Sequence, residues 1–281
     1  MTLLAVPNVS EGRAQEAIFA IGQAFDGRLL DVHSDPDHNR SVYTLAGEPG
    51  SLAQAVLAGT REAIERIDLR GHTGAHQRVG VLDVAPIVYL NEDDRGAACA
   101  EALILADLLG AELELPVYLY GALAGGRTRA ELRRGGPGGL AELAPDFGPH
   151  RIHPTAGATL VGARPPLVAF NVELAPPATE AEAREIAAKI REGGPEGLPG
   201  VRAIGLWLEE RGVAQVSTNV EDHLAVPLAR VVEAVARQAK VAEAELVGLA
   251  PRASLEGWPE EVVVRNKRTI EGALGHGTRG R

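Results

Sequence analysis

Two histidines four residues apart, His72 and His76, sit in the run Arg70-Gly71-His72-Thr73-Gly74-Ala75-His76-Gln77-Arg78-Val79-Gly80. An imidazole has an unperturbed pKa of about 6.5, so it can take a proton and return it within one reaction near neutral pH. Glycines beside it let a ligand approach the backbone. Arg78, two residues beyond His76, can fix a carboxylate through its fork of N–H donors. Taken alone, the segment is equally compatible with a loop histidine bonded to backbone. A second polar run, His33-Ser34-Asp35-Pro36-Asp37-His38-Asn39-Arg40, admits two functions. His33, Asp35, Asp37 and His38 could join His72 and His76 around a metal, or Asn39 and Arg40 could hold a polar substrate. The spacing matches neither H-E-x-x-H nor an EF-hand loop, and an Asx/Pro turn accounts for Ser34 to Asp37. Six of the eight histidines precede residue 154 (His33, His38, His72, His76, His150 and His153), all in loops or at element ends. Sites concentrate on such segments because a rigid scaffold holds them. There is no G-x-S-x-G, no G-x-x-x-x-G-K-[ST] and no G-x-G-x-x-G after a first strand. Serine hydrolases, P-loop NTPases and dinucleotide dehydrogenases are therefore disfavoured.

The elements that must position these residues fall into two similar series. In the first half, strands are expected at Leu3–Val9, Arg28–Val32, Ser41–Leu45, Gly80–Leu90 and Leu115–Tyr120. Helices are expected at Arg13–Phe25, capped by Ser10, from Ser51 to Ile67, and from Asp93 or Asp94 to Leu109, closed by Gly110. In the second half, strands at Leu167–Leu174, Val201–Leu208, Val213–Thr218 and Glu245–Leu249 surround two helices. One opens on the capping box Thr179-Glu180-Ala181-Glu182 and buries Ala183, Ile186, Ala187 and Ile190. The other starts at Pro227 and shows the helical stripe Leu228, Val231, Val232 and Val235. Both series begin strand–helix–strand–strand–helix–strand, the split βαβ order. The expected fold is α/β (α+β): two ferredoxin-like split-βαβ subdomains, each a mixed sheet with helices on one face. Between them, Gly121 to Pro166 reads as a long surface loop or as a loop that covers substrate. The Gly- and Arg-rich tail from Gly272 to Arg281 is expected to be disordered.

Bulk properties narrow the partners. The chain has 281 residues, 45% hydrophobic and 23% charged, enough for a sizeable core without disulfides. Its formal net charge of −10 argues against nucleic acid, which needs a basic footprint. Arginines in one cleft can still make a local positive field. Cys99, the sole cysteine, sits in an apolar helix as a filler, and its solitude fits a reducing, cytoplasmic setting. Neither a secretory leader nor a membrane span is read in the sequence.

Several segments together resemble the formiminotransferase domain of formimidoyltransferase-cyclodeaminase and its stand-alone relatives. They are Val6 to Arg13, Asn39 to Thr44, His72 to Asp83, Pro116 to Gly121, Ala144 to Pro149, Gly157 to Thr159, Ala169 to Asn171, Ala214 to Asn219 and Gln238 to Pro251. Each is short, but their shared order spans about residues 3 to 255. The resemblance implies two α/β subdomains with folate in the cleft between them. Residues 1–164 are the expected N-terminal subdomain carrying the catalytic histidine, and 165–281 the C-terminal one. The histidine of the family's G-E-H-P-R-M-G segment, its catalytic acid–base, is His76 here. Arg78 and Gly80 match that pattern, while Ala75 and Gln77 replace its Glu and Pro. The family's folate segment corresponds to Gly148, Pro149, His150, Arg151, Ile152, His153, Pro154, Thr155, Ala156 and Gly157, with Ala156 in place of its Trp. The cyclodeaminase half is absent from this chain.

The implied reaction moves the formimino group of N-formiminoglutamate to N5 of tetrahydrofolate, a co-substrate, with no metal and with His76 carrying the proton. Both substrates are carboxylates, for which Arg40 and Arg78 are the candidate anchors, Asn39 a polar orienter and Arg164 a further candidate. A homodimer is expected from the frequency of such assemblies, and a separate cyclodeaminase is an allowed partner. Three rivals stand beside this reading: an enzyme acting on 5-formyltetrahydrofolate, a metal-dependent amidohydrolase, and a folate-binding module without chemistry.

Overall fold

The computed structural model describes residues 1–25, 27–75, 77–134 and 136–276. The chain divides into two compact units, Met1–Pro165 and Pro166–Arg281. In the first, β1 (Leu3–Ala5) and β2 (Asn8–Val9) are one strand interrupted at Val6-Pro7. Proline has no N–H to give a ladder. The register survives because the Val6 N–H donates to the Pro86 carbonyl (3.0 Å) and the Tyr43 N–H to the Pro7 carbonyl (3.0 Å). There follow α1 (Gln15–Ala24), β3 (Arg28–Asp35), β4 (Arg40–Gly47), α2 (Leu52–Arg66) and β5 (Leu82–Tyr89). The β1–β2 strand lies between β4 and β5, antiparallel to both, and β3 pairs antiparallel with β4. This is the expected split βαβ arrangement.

The first unit then extends. After α3 (Arg95–Glu112) come β6 (Val117–Leu119), α4 (Arg129–Leu132), α5 (Gly136–Ala141) and β7 (Thr159–Arg164). The last strand slots between β5 and β6, parallel to both. Alternate residues of a strand face opposite sides of a sheet. Val117, Leu119, Val161 and Ala163 join the core shared with Ile21, Val56 and Leu105 of the helices α1, α2 and α3. Tyr118, Tyr120 and Leu160 face the other way and meet Leu132 of α4 and Leu140 beside Val84. The connecting segment thus packs on the sheet face that the three long helices leave open.

The second unit contains β8 (Val168–Leu174), α6 (Glu180–Ile190), β9 (Val201–Leu208), β10 (Val213–Val220), α7 (Leu228–Ala236), β11 (Val241–Leu246), β12 (Val264–Arg265) and α8 (Ile270–His276). Its sheet runs β12-β11-β8-β10-β9, with antiparallel pairing except at the β11–β12 edge. The capping box forms as the sequence predicts, with the Glu182 carboxylate accepting from the Thr179 N–H (2.7 Å). The buried faces of α6 and α7 are the predicted ones, Ala183, Ile186, Ala187 and Ile190, and Leu228, Val231, Val232 and Val235. No described helix is long and apolar enough to cross a membrane.

Several expectations need correction. Ser10 does not cap α1: its hydroxyl donates to the Gly80 carbonyl (2.8 Å), and Glu11 Oε1 accepts from the Arg13 and Ala14 N–H groups instead (2.7 and 2.9 Å). Ser51 stands at the start of α2 without a side-chain cap; buried Glu101 of α3 accepts from the Ala53 N–H (2.7 Å). That places a carboxylate at the positive end of the helix dipole. Residues 159–164, expected within the connecting loop, form β7, a short buried run hidden by Gly- and Pro-rich flanks. The strand expected at Glu245–Leu249 runs over Val241–Leu246 and is followed by a further short strand, β12, and the tail is helical through His276, with residues 277–281 outside the described ones. Gly110 does not close α3, which continues to Glu112. A Cβ there would lie 2.7 Å from the Gly148 N and 2.9 Å from its Cα, so the glycine is spent on close backbone contact.

Alanine normally gains up to about 1 kcal/mol over glycine inside a helix. At Gly110 the backbone clash outweighs that gain, since overpacking costs about 1–3 kcal/mol. Thermal unfolding of Gly110→Ala should therefore show a lowered Tm. Gly96→Ala, in the same helix with open space around it, should leave Tm unchanged or raise it.

Candidate functional site

The tip of the β3–β4 hairpin is buried despite its polarity. Asp37, His38 and Asn39 are 5%, 8% and 7% exposed, so their polar groups must find partners within the fold. The Asp35 carboxylate accepts from the His38 N–H (2.8 Å), the Asx turn anticipated from the sequence. Asn39 takes a left-handed backbone, with φ at 48°, which asparagine tolerates. Its side-chain Oδ1 accepts from the Gly12 N–H (2.9 Å), and its Nδ2 donates to the Thr73 carbonyl (2.9 Å). The Ala75 N–H donates to the Asp37 carbonyl (3.0 Å). Gly74 makes this approach possible, because a Cβ there would lie 2.5 Å from the His38 carbonyl oxygen. The hairpin tip and residues 72–75 are thus laid against each other. Asn39 acts as the pin between them, using both ends of its amide on backbone.

The same stretch is stitched on its other side to residues 148–157. The Leu69 N–H donates to the Thr155 carbonyl (2.9 Å), the Val81 N–H to Ala156 (2.8 Å) and the Ala158 N–H to Val79 (2.9 Å). His153 and Gly157 close a small loop by donating to each other's carbonyls (3.0 and 2.9 Å). Nδ1 of His153 accepts from the Ala156 N–H (3.0 Å) inside that loop. Gly148 and Gly157 have φ of 79° and 74°, the turn geometry that frames the segment. His150, Arg151 and Pro154 are exposed, while Pro149, Ile152, His153 and Thr155 are half-buried. Ala156 is 1% exposed and belongs to the first unit's core, so its side chain serves packing.

Arg40 leads to the charge at the centre of this region. Its Nε and Nη2 donate to Asn8 Oδ1 (3.1 and 3.0 Å), and its Nη1 to Asp83 Oδ2 (2.6 Å). Asp83 is fully buried. Its Oδ1 accepts from the Val79 N–H (2.7 Å), and its Oδ2 also pairs with Arg133 Nη2. Burial holds the Arg40 guanidinium below its ordinary value in spite of Asp83, with Arg133 and Arg129 pushing the same way. Arg78 donates to the His72 carbonyl, and burial lowers it too, opposed by Asp83. Burial first and then Arg78 lower the pKa of the half-buried His72 ring. Arg164 bonds to the Pro165 carbonyl (3.0 Å) at the end of β7.

The structure therefore gathers Asn39, Arg40, Arg78, His72 and the 148–157 segment along one edge of the first unit. His76 lies outside the described residues. Asp83, Arg133 and Asn8 were missed as site members. Asp83 carried a legible signal: it is the one acid inside the apolar run Val79 to Leu90, and a buried charge demands partners. Among the described residues, no group of three or more His, Cys, Asp or Glu could hold a metal ion.

Comparison with known proteins follows the same division of the chain. A model of the formiminotransferase domain's N-terminal subdomain matches residues 2–164, and a formiminotransferase domain model matches 169–269. The chain is 40% identical over 277 residues to a formimidoyltransferase-cyclodeaminase of Rattus norvegicus, covering 89% of this chain and 50% of that protein. It spans about half the length of the formimidoyltransferase-cyclodeaminases of rat, pig and mouse. It is 38% identical over 272 residues to a glutamate formimidoyltransferase of Streptococcus pyogenes serotype M1, covering 89% of each chain. A glutamate formimidoyltransferase of Thermoplasma acidophilum is 34% identical over 272 residues, with 89% and 88% covered.

Two tests follow from this geometry. Asp83→Asn removes the charge shared by Arg40 and Arg133 and leaves them buried without it; such a loss costs about 3–5 kcal/mol, read as a fall in the urea midpoint. His72 has a folded-state pKa below its ordinary 6.5, so the unfolded chain binds more protons and stability falls as pH drops below that value. In His72→Gln the loss of stability between about pH 6.5 and 5 should be shallower than in the parent.

Proposed function

The chain belongs to the formiminotransferase family, and we propose that it transfers the formimino group of N-formiminoglutamate to N5 of tetrahydrofolate, releasing glutamate. The N5 lone pair attacks the formimino carbon, a tetrahedral intermediate forms, and the bond from that carbon to the glutamate nitrogen breaks. N5 must lose one proton, and the departing nitrogen must gain one. His76 takes the first and supplies the second, so the imidazole returns to its starting state. Acid–base help of this kind contributes about 10²–10⁴-fold. The amidine carbon is already an electrophile once protonated, so these residues need supply only positioning and proton movement. Arg40 and Arg78 are the proposed carboxylate anchors, Asn39 orients the hairpin that carries Arg40, and residues 148–157 offer the folate contacts, led by exposed His150 and Arg151.

The observation that carries this reading is the double stitching of residues 69–83. Backbone bonds join them to 148–157, and Asn39 joins them to the hairpin tip. A segment held from both sides loses little freedom when substrate binds, the condition for pre-organised transfer. We place the reaction in the cytoplasm, in keeping with a single, unpaired cysteine. A homodimer is the proposed assembly. The product carries a formimino group on folate, so a separate cyclodeaminase is the proposed consumer.

Purified protein incubated with N-formiminoglutamate and tetrahydrofolate should release glutamate only when both are present. His76→Ala should lower kcat by about 10²-fold or more with a smaller change in KM. Glutamate release that needs neither folate nor His76 would reject the proposal.

A further inference from the structure

The short helix α4 brings two arginines to the Asp83 region. Arg129 and Arg133 lie one turn apart, with the Arg133 N–H donating to the Arg129 carbonyl (3.0 Å). Arg133 and Arg40 share a single oxygen of Asp83, and their side chains are 15% and 12% exposed. One carboxylate divided between two guanidiniums leaves positive charge over. Arg129, whose guanidinium carbon sits 5.8 Å from the Tyr120 ring centre, adds to it. This excess stands in a chain of net charge −10, so it is a local device and no reflection of bulk composition. Two polar groups beside it are buried without hydrogen-bond partners, the Arg133 Nε–H and the Tyr120 hydroxyl. Folded proteins rarely leave such groups unmet. A buried N–H left unmet beside this charge is a donor that an anion could complete.

We propose that Arg133 is a substrate-binding residue, forming with Arg40 a carboxylate subsite on the α4 side of Asp83. The subsite rests on the transfer reading for its choice of ligand, a carboxylate of either the formimino donor or the folate tail. Asp83 takes one N–H group of each guanidinium, and the Arg133 Nε–H, which no group among the described residues meets, is the donor left for a carboxylate. The segment from Gly121 to Pro166 thereby contributes to binding through Arg133 as well as through residues 148–157.

The test measures binding apart from turnover. Calorimetric titration with N-formyl-L-glutamate and, separately, with 5-formyltetrahydrofolate gives the affinity of each carboxylate source. In Arg133→Ala, one of the two should bind about 10- to 100-fold more weakly. Arg133→Lys, which keeps a charge for Asp83, should show a smaller loss, and Arg95→Ala, in a surface pair with Glu92, none. With turnover, the same substrate's KM should rise while kcat stays within about threefold. Should Arg133→Ala fail to fold, Arg133→Lys and Arg133→Gln carry the comparison. Affinities for both ligands equal to the parent's in the folded variants overturn the subsite, as does a parent protein that binds neither. Arg133-dependent binding without any formimino transfer would reject the proposed reaction and leave the subsite standing.

Discussion

A single buried carboxylate organises the first unit. Asp83 is completely enclosed, and an ionised group taken out of water is costly unless it is paired and hydrogen-bonded. Its partners come from places remote in sequence: Arg40 at the start of β4, the Val79 N–H just before β5, and Arg133 after α4. Asn8, at the strand break, steadies Arg40. The demand of one charge thus fixes the positions of four chain segments. Hydrophobic burial would tolerate small slips among them, but a shared oxygen tolerates few.

Around that centre the loops are held by backbone rather than by long side chains. Residues 72–75 rest on the hairpin tip through Asn39, and residues 79–81 share hydrogen bonds with 156–158. Glycines at 12 and 74 admit contacts that any Cβ would block. Partly buried Arg40 and Arg78 and the half-buried His72 ring, whose pKa burial lowers, then lie together beside Asp83. An acidic protein can in this way gather several guanidiniums at one edge.

The sequence was legible where one force dominates. The stripes on α6 and α7 and the Thr179–Glu182 box need only local periodicity and capping, and the structure follows them residue by residue. The alternation of strand and helix revealed the split βαβ order for a similar reason. Legibility failed where tertiary contact decides. Gly110 has the look of a helix terminator, but Gly148 across the fold keeps it inside α3. Ser10 is placed like a cap, yet the Gly80 carbonyl just before β5 claims its hydroxyl. β7 is short and flanked by glycine and proline, so only its buried parallel partners reveal it. In the site, Asn39 and Arg40 stood out by type, though their use of protein partners did not. The resemblance sets Ala156 at the family's aromatic position, but the burial of its side chain in the core is decided by the fold around it. Arg133 was lost in a Gly-rich stretch that offered no periodicity at all.

The place of β7 in the sheet has a consequence for the growing polypeptide. β5 and β6 are made first, and β5 joins the β1–β2 strand on one side, yet β6 reaches the sheet only through a strand that arrives forty residues after it. Until residues 159–164 leave the ribosome, β5 must keep one edge unpaired and β6 has no neighbour to join. Open strand edges invite pairing with other chains. The α4–α5 segment, tied to Asp83, is synthesised within that interval and covers the adjoining face. The segment that carries Arg133 to the site is thus made before the strand that completes the sheet it packs on.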